Sequence, residues 1–315
     1  MKDFTSRQPR LLTYQEQEYQ CERLFSSRGP FFHLCTPGDA AAQLFESEAD
    51  FRFAMNLVAL CTHLVPDISV ITFEVMRNHL HLVGEGPVEQ GEEWFSHFRR
   101  RLLRYYQSIG RVLELSAFKA EIFPIGDLSF LRNTIAYVNR NGYVVHPNHT
   151  PFSYPWGANR FYFNPDARLR SDGVYGDLTF RQKRDLFLSH SIEYPANHLL
   201  VDGSISPVSY CHLDFGESVF RDARNYFSFV SRNVEAYRDI AKLLGDSVFY
   251  TDDELYAIVR QICRDRYGSS RPETLTMDAK QEMARLLHFD YKAGNKQIMR
   301  MLRLEERTVT ALFGR

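Results

Sequence analysis

The chain lacks most of the features that would identify a function at once. Its five cysteines are scattered and form no CxxC pair, which argues against a disulfide framework or a cysteine zinc site. No apolar run approaches the roughly 20 residues that span a bilayer, and the N-terminal stretch MKDFTSRQPRLLTYQEQEYQ has no signal-like apolar core. We therefore expect a cytoplasmic protein without a membrane partner.

The chain also lacks an excess of positive or negative charge. The formal net charge is -1, so any nucleic-acid-binding surface must be local. Neither a glycine-rich phosphate loop nor zinc-finger spacing is visible. Apolar and aromatic side chains are abundant instead, with 44% hydrophobic residues, 25 Phe and 17 Tyr. A chain of 315 residues with this composition can bury more than one core, which predicts two or three compact units.

The pattern of apolar and β-branched residues predicts the elements between residues 31 and 142. Their order is strand, helix, strand, strand, helix, strand, helix. A tight turn separates the strand at 67–76 from the returning strand at 79–83. The strand after the second helix is expected at 112–123. The last helix, at 127–142, has an Asp at its start and a Gly at its end. This order predicts an α+β domain of ferredoxin-like type, an antiparallel sheet with packed helices.

Changes in composition divide the chain into four parts: an N-terminal arm (1–30), the α+β domain (31–175), a connecting and mostly helical region (176–250) and an all-α terminal region (251–315). In the terminal region a short helix (294–302), a turn and a second short helix (307–313) fit a helix-turn-helix DNA reader. An ordinary helical hairpin has the same pattern. Basic residues there that suit phosphate contacts are Lys296, Arg300, Arg303 and Arg307.

The stretch MRNHLHLVGEG contains two histidines, His79 and His81, one residue apart. About 0.4 such pairs are expected by chance from 11 histidines, so the pair alone decides nothing. On a strand, residues i and i+2 point to the same face, so the two imidazoles could share one metal ion. Two polar histidines on the wet face of a strand are the alternative. The other histidines, including His33, have no comparable partners and receive no role.

The helix at 127–142 offers candidates for a nucleophile and a third ligand. One stripe of it, expected to pack on the sheet, contains Leu128, Leu131, Ile135 and Val138. Tyr137 and Asn141 lie one turn apart on a different face, and core packing does not account for them. A phenol oxygen can approach a metal-bound phosphate while an amide oxygen completes the coordination sphere. Rival nucleophiles are Tyr143, Tyr105 and Tyr106.

These segments resemble parts of a known family, the HUH single-tyrosine transposases. MRNHLHLV resembles the family's MPNHVHLL stretch, and YVNRNG resembles the YIxxNP helix that carries the nucleophile. FHLCTPGDAAAQLF and SYPWGAN are similar to the YHVTxRGNxxxxxF and YxWSS segments. The likeness therefore runs from about residue 30 to residue 165, less than half of the chain, and is greatest to the REP-associated tyrosine transposases.

The resemblance implies a site and a reaction. His79 and His81 would bind a divalent metal, Mg²⁺ or Mn²⁺, with Asn141 as third ligand and Tyr137 as nucleophile. The reaction implied is cleavage and rejoining of single-stranded DNA, at hairpin-containing sites, through a 5′-phosphotyrosine intermediate. Candidate DNA contacts are the arginines of one helix and an aromatic-rich segment: Arg99, Arg100, Arg101, Arg104 and residues 152–163.

Three departures from the family pattern keep other functions open. Arg77 replaces the Pro before the Asn-His pair, Gly142 replaces the Pro after Asn141, and Gly157 replaces the first Ser of WSS. One alternative is a non-catalytic DNA-binding protein that uses the terminal helix-turn-helix. The other is a metal-dependent single-strand nuclease, whose products carry no attached protein. The sequence does not choose between a monomer and a homodimer.

Overall fold

The computed structural model describes residues 12–36, 44–111, 118–145, 153–189, 193–232, 250, 252–269, 271–291 and 293–314. Its first part contains α1 (Tyr14–Ser26), β1 (Phe31–Cys35), α2 (Glu48–Leu64), β2 (Ser69–Val75), β3 (Leu80–Glu85), α3 (Val88–Ser108), β4 (Glu121–Ile125) and α4 (Leu128–Val145). From β1 to α4 this is the order that the sequence predicts. The first half of the predicted strand at 112–123 falls on residues 112–117, which lie outside the described residues.

The second part continues with α5 (Pro165–Leu169), β5 (Gly173–Val174), α6 (Phe180–Phe187), β6 (Leu199–Val201), β7 (Ser204–Ile205), α7 (Leu213–Ser218), α8 (Ala223–Arg232), α9 (Asp252–Tyr267), α10 (Met277–Phe289), α11 (Asn295–Leu302) and α12 (Glu306–Phe313). The region expected to be mostly helical thus also holds a small antiparallel sheet, in the order β5-β6-β7. In the described part of the chain, no helix is long and apolar enough to cross a membrane.

The main sheet has four antiparallel strands in the order β2-β3-β1-β4. Alternation along β1 puts Phe32 and Leu34 on one face and His33 on the other. The helix α3, with α2 packed beside it, covers the first face, and a Cβ on Gly91 of α3 would lie 3.2 Å from the Phe32 ring. The helix α4 contacts β2 and β3 and covers the face that carries His33.

The helix α4 is buried around its whole circumference, not along one stripe. Every residue from 134 to 142 is buried: the sheet packs on one side of α4, where Tyr137 contacts His81, and α8 and α1 pack on α4 as well. The expectation that Tyr137 and Asn141 stand outside the packed surface was therefore wrong. A helix that is apolar on one side can still be covered on the other when polar residues there find hydrogen-bond partners.

A chain of buried hydrogen bonds makes this covering favourable. Thr72 of β2 donates to Asn139 of α4, and the Asn139 amide donates to the Tyr226 hydroxyl of α8 at 2.8 Å. The Tyr226 hydroxyl in turn donates to Asn159 at 2.6 Å. All four side chains are buried, so each bond satisfies a group that would otherwise be destabilising.

Two hydrophobic cores organise the chain. The first contains residues from Cys21 to Val230, and the second contains residues from Tyr250 to Val309. The boundary expected near residue 175 does not divide the first core, since Tyr175 and Phe187 belong to it. The second core is built by α9 to α12, and the bounds of α11 and α12 lie within a residue of those expected for the terminal helix pair.

Both edges of the main sheet are occupied or altered. Beside β2, the Val75 N–H donates to the Trp156 carbonyl at 2.8 Å, and the Ala158 N–H donates to the Phe73 carbonyl at 3.0 Å. At the other edge, Pro124 of β4 has no N–H to donate. Prolines and covering segments at an edge reduce the chance that another strand pairs there.

Candidate active site

The histidine pair lies on the inner side of the sheet, facing α4. His81 of β3 is the cross-strand partner of both Cys35 and Glu74, and His79 precedes β3, with its carbonyl accepting the Met76 N–H at 2.8 Å. Both histidines are buried, with exposed fractions of 1% and 0%. The alternative of two histidines on a wet strand face is therefore excluded by their burial.

A third histidine joins the pair. His33 of β1 lies on the same face, and its Nε2 is 3.2 Å from Nδ1 of His81, with the rings 5.3 Å apart. We had assigned His33 no role. Its only signal in the sequence was that it is the single polar residue of the strand FFHLC, and its proximity to His81 depends on the register between β1 and β3.

Tyr137 packs directly on these histidines. Its ring centroid lies 5.4 Å from that of His81 and 6.3 Å from that of His33, both nearly edge-on. The side chain is 2% exposed. Asn141, one turn later on α4, is 5% exposed. The structure thus brings the predicted nucleophile and the histidine pair together in one buried layer between sheet and helix.

Hydrogen bonds orient the imidazoles in a way that suits a metal ligand. Nδ1 of His79 contacts the side-chain oxygen of Asn78 at 2.8 Å, and Nδ1 of His81 is engaged by His33. Metal-binding histidines commonly use one ring nitrogen for the metal while the other makes a hydrogen bond that fixes the ring. In this site Nε2 of each residue would be the metal-binding nitrogen.

The donor set contains two imidazole nitrogens and the amide of Asn141, which is compatible with a divalent cation of intermediate softness such as Mn²⁺. Among the described residues, no group of three His, Cys, Asp or Glu side chains is arranged to hold a metal ion. The fit therefore depends on the amide as third donor. An asparagine binds a metal through Oδ1, and one buried atom of the Asn141 amide, Nδ2, has no hydrogen-bond partner within the described part of the chain; a flip of the amide puts Oδ1 at that position.

Glu74 is a site residue that sequence reasoning missed. It lies on β2, is fully buried, and its Oε2 accepts the backbone N–H of Gly142. Burial raises the pKa of Glu74 well above its usual range, and the Gly142 hydrogen bond opposes this only in part. Its Oε1 has no partner among the residues that the structure describes. A single Glu in the strand SVITFEV gave no indication of which neighbour it would meet.

The two glycines that depart from the family pattern, Gly142 and Gly157, lie close to Glu74 or to its neighbour Tyr154. A Cβ at Gly142 would be 2.2 Å from Cδ1 of Tyr154, and a Cβ at Gly157 would be 2.6 Å from Cγ of Glu74. Real side chains do not tolerate such separations, so both positions require glycine unless the neighbours move. The third departure, Arg77, offers its backbone carbonyl to the N–H groups of residues 44 and 45.

The predicted arginine contacts lie elsewhere. Arg99 to Arg104 belong to α3, which covers the opposite face of the sheet, so the sheet separates them from Tyr137. Arg101 is partly buried, and Arg100 contacts His97 at 2.9 Å. The correction follows from topology, because periodicity cannot tell on which face of a sheet a helix packs. The terminal candidates Lys296, Arg300, Arg303 and Arg307 lie on or beside α11 and α12.

The aromatic-rich segment at 152–163 serves mainly the core. Tyr154, Phe161 and Tyr162 are buried, and the Tyr154 and Tyr162 hydroxyls donate to carbonyls of β2. Trp156 is partly exposed and stacks on Phe51 with centroids 5.1 Å apart. Phe152 lies outside the described residues. Among the described aromatic residues of this segment, Trp156 and Phe163 are partly exposed and lie where a base could reach them.

The hydroxyls of two rival nucleophiles, Tyr105 and Tyr106, are engaged in hydrogen bonds. The Tyr105 hydroxyl donates to Asp50 at 2.8 Å, the Tyr106 hydroxyl donates to the Leu44 carbonyl, and burial raises the pKa of both phenols. Both belong to α3, on the face away from the histidines. The side chain of Tyr143 lies outside the described residues. No known family profile, curated protein or solved structure matches this chain.

Proposed function

We propose that the chain is a metal-dependent DNA strand-transfer enzyme of the HUH transposase type, which cleaves and rejoins single-stranded DNA through a 5′-phosphotyrosine. The observation that carries the proposal is the contact of the Tyr137 ring with the rings of His81 and His33. The ring of His81 in turn contacts that of the predicted ligand His79. The layer combines a nucleophile type, imidazole donors and an amide within one site.

The topology supports the same assignment. The elements from β1 to β4 follow a βαββαβ order with the antiparallel strand order β4-β1-β3-β2, which supports the proposal of a ferredoxin-like domain. In that arrangement β1 and β3 are the central strands, which is where His33 and His81 lie. Fold likeness alone does not define an activity, so the proposal depends on the site residues.

In the proposed reaction the Tyr137 hydroxyl oxygen attacks the scissile phosphorus. The bond from phosphorus to the 3′ oxygen breaks, the phenol proton is transferred to that oxygen, and the products are a 5′-phosphotyrosine ester and a free 3′ hydroxyl. A second 3′ hydroxyl can reverse the attack and join strands without a nucleotide cofactor. A divalent cation held by His79, His81 and Asn141 would neutralise phosphate charge.

The chain's own residues would orient the phenol and exclude water. Edge contacts with two imidazoles restrict rotation of the Tyr137 side chain, which favours in-line attack. Because Tyr137 is 2% exposed in the free protein, a bound strand must open the layer between α4 and the sheet. We therefore expect cleavage to require a substrate that binds strongly enough to open the site, such as a hairpin with a flanking single strand.

The test is a denaturing gel of the purified chain incubated with single-stranded hairpin DNA from the flanks of its own gene and Mn²⁺ or Mg²⁺. We expect a covalent protein-DNA adduct that EDTA abolishes and that is absent in Tyr137→Phe and in the double variant His79→Ala, His81→Ala. The matched control is Tyr105→Phe, a buried tyrosine on the other face of the sheet, which should still form the adduct. Persistence of the adduct in Tyr137→Phe would refute the assignment.

A second candidate function is DNA binding without cleavage, by the terminal helices. Two observations favour it: the burial of Tyr137, and the three-residue turn between α11 and α12, in which Arg303 adopts a left-handed backbone conformation with φ of 50°. It predicts salt-dependent duplex binding and no covalent product under any metal condition. Cleaved DNA without attached protein would instead support the nuclease alternative.

A further inference from the structure

We propose that Glu74 is a positioning residue of the Tyr137 site: its buried carboxyl group holds the α4 backbone at Gly142 and so fixes Asn141 relative to His81. The inference rests on the proposed function, because it concerns the same site. It adds a residue that the family resemblance does not assign.

The geometry starts from the sheet. Glu74 and His81 are directly opposite each other on β2 and β3, so their side chains project from the same face with Cβ atoms about 5 Å apart. The helix α4 touches this pair at two points. The Tyr137 ring contacts His81, and the Gly142 N–H donates to Glu74. Asn141 lies between the two contacts, one turn after the first and next to the second.

A hydrogen bond at this point has a local effect. The N–H of residue 142 belongs to the same peptide unit as the carbonyl of Asn141, so Glu74 restrains the backbone from which the Asn141 side chain extends. Metal-ligand distances are defined to about 0.2 Å, and groups that orient a ligand typically change metal affinity by about 10–100-fold when they are removed. Loss of the Glu74 restraint should therefore be visible in metal binding.

The surroundings of Glu74 indicate a specific fit. A fully buried carboxyl group is unfavourable in a strand that otherwise buries Val70, Phe73 and Val75. Gly157 leaves the space that the Glu74 Cγ occupies, and a proline at position 142 would have no N–H to donate. Two of the three departures from the family pattern thus surround this one side chain.

The test measures Mn²⁺ binding to the full-length chain by isothermal titration calorimetry, together with adduct formation. Glu74→Gln keeps an oxygen that can accept the Gly142 N–H, whereas Glu74→Leu has a similar size and no acceptor. The matched control is Thr72→Val, which removes another buried hydrogen bond between β2 and α4, at Asn139. Circular dichroism and thermal unfolding check that each variant is folded.

We expect Glu74→Gln to bind Mn²⁺ within about threefold of the unmodified chain, and Glu74→Leu to bind about 10–100-fold more weakly. Thr72→Val should bind normally. Equal loss in Glu74→Gln and Glu74→Leu would overturn the proposal, since it would show that an acceptor for the Gly142 N–H is not sufficient and that the carboxyl group itself is needed. Normal binding in Glu74→Leu, or equal loss in Thr72→Val, would overturn it too.

If Glu74→Leu does not fold, Glu74→Asp decides, because its shorter side chain keeps the carboxyl group but does not reach Gly142. Weak Mn²⁺ binding by Glu74→Asp supports positioning, and normal binding overturns it. The two proposals fail in different ways. If the unmodified chain binds Mn²⁺ but forms no adduct, the proposed function is refuted, and the Mn²⁺ affinities of the Glu74 variants can still be compared. If the unmodified chain binds no Mn²⁺, both proposals are refuted.

Discussion

The substitution Gly142→Ala tests the packing of α4 on the site most directly. In an ordinary helix interior, replacing Gly by Ala stabilises the protein by about 0.5–1 kcal/mol. Here we expect the opposite sign. The new Cβ would lie 2.2 Å from Cδ1 and 2.4 Å from Cγ of Tyr154, whose hydroxyl donates to the Val75 carbonyl at 2.7 Å. Overpacking of about 1–3 kcal/mol and a lost hydrogen bond of about 1 kcal/mol exceed the helix gain. The net effect should be a loss of about 1–3 kcal/mol.

Urea denaturation followed by tryptophan fluorescence measures this loss. The chain has two tryptophans, Trp94 and Trp156, and both lie in or against the first core. In a Tyr154→Leu background the ring is gone, and Gly142→Ala should then be neutral or stabilising by up to about 1 kcal/mol. A Gly142→Ala variant as stable as the parent, or an equal loss in both backgrounds, would refute the steric reasoning.

Three further predictions concern pH and the two cores. Burial raises the pKa of Glu74, so the folded state keeps a proton that the unfolded state loses above about pH 4.3. The free energy of unfolding should therefore fall as the pH rises from there. In Glu74→Gln the urea midpoint should depend less on pH than in the parent. Burial acts to raise the pKa of Asp50, but hydrogen bonds leave it below its ordinary value, so its stabilisation is present above about pH 3.9; the difference between Asp50→Asn and the parent should shrink as acid is added. Leu302→Ala should destabilise the second core by about 2–5 kcal/mol, seen by circular dichroism, while the fluorescence midpoint stays constant; a shifted midpoint would show that the cores unfold together.

Local patterns were sufficient to predict the elements around the site. The β-branched strand at 67–76, the acidic start of α2 and the Asp127 cap of α4 each depend on interactions within a few residues. The order from β1 to α4 follows from these signals. The helix end expected at Gly142 was wrong, since α4 continues to Val145. In the described part of the strand expected at 112–123, residues 118–120 precede β4, which runs from Glu121 to Ile125; its alternation is weak, and pairing with β1 defines its length.

The membership of the site could be predicted only in part. His79 and His81 were singled out by their i, i+2 spacing on a strand, and Tyr137 by its helix face; the structure brings the three side chains into contact. His33 and Glu74 were missed because their proximity depends on strand register, which a single strand's sequence does not specify. Interactions between distant parts of the chain, such as α8 on α4, leave no periodic signal in either segment.

The closed edges of the main sheet limit how copies of this chain can associate. The segment that contains Trp156 and Ala158 already occupies the hydrogen-bonding groups of β2, and Pro124 interrupts those of β4. A second copy therefore cannot extend the sheet by adding a strand at β2, which is the usual route to runaway β-aggregation and to many sheet-to-sheet dimers. We therefore expect any dimer of this chain to form through a surface other than the β2 edge of the main sheet.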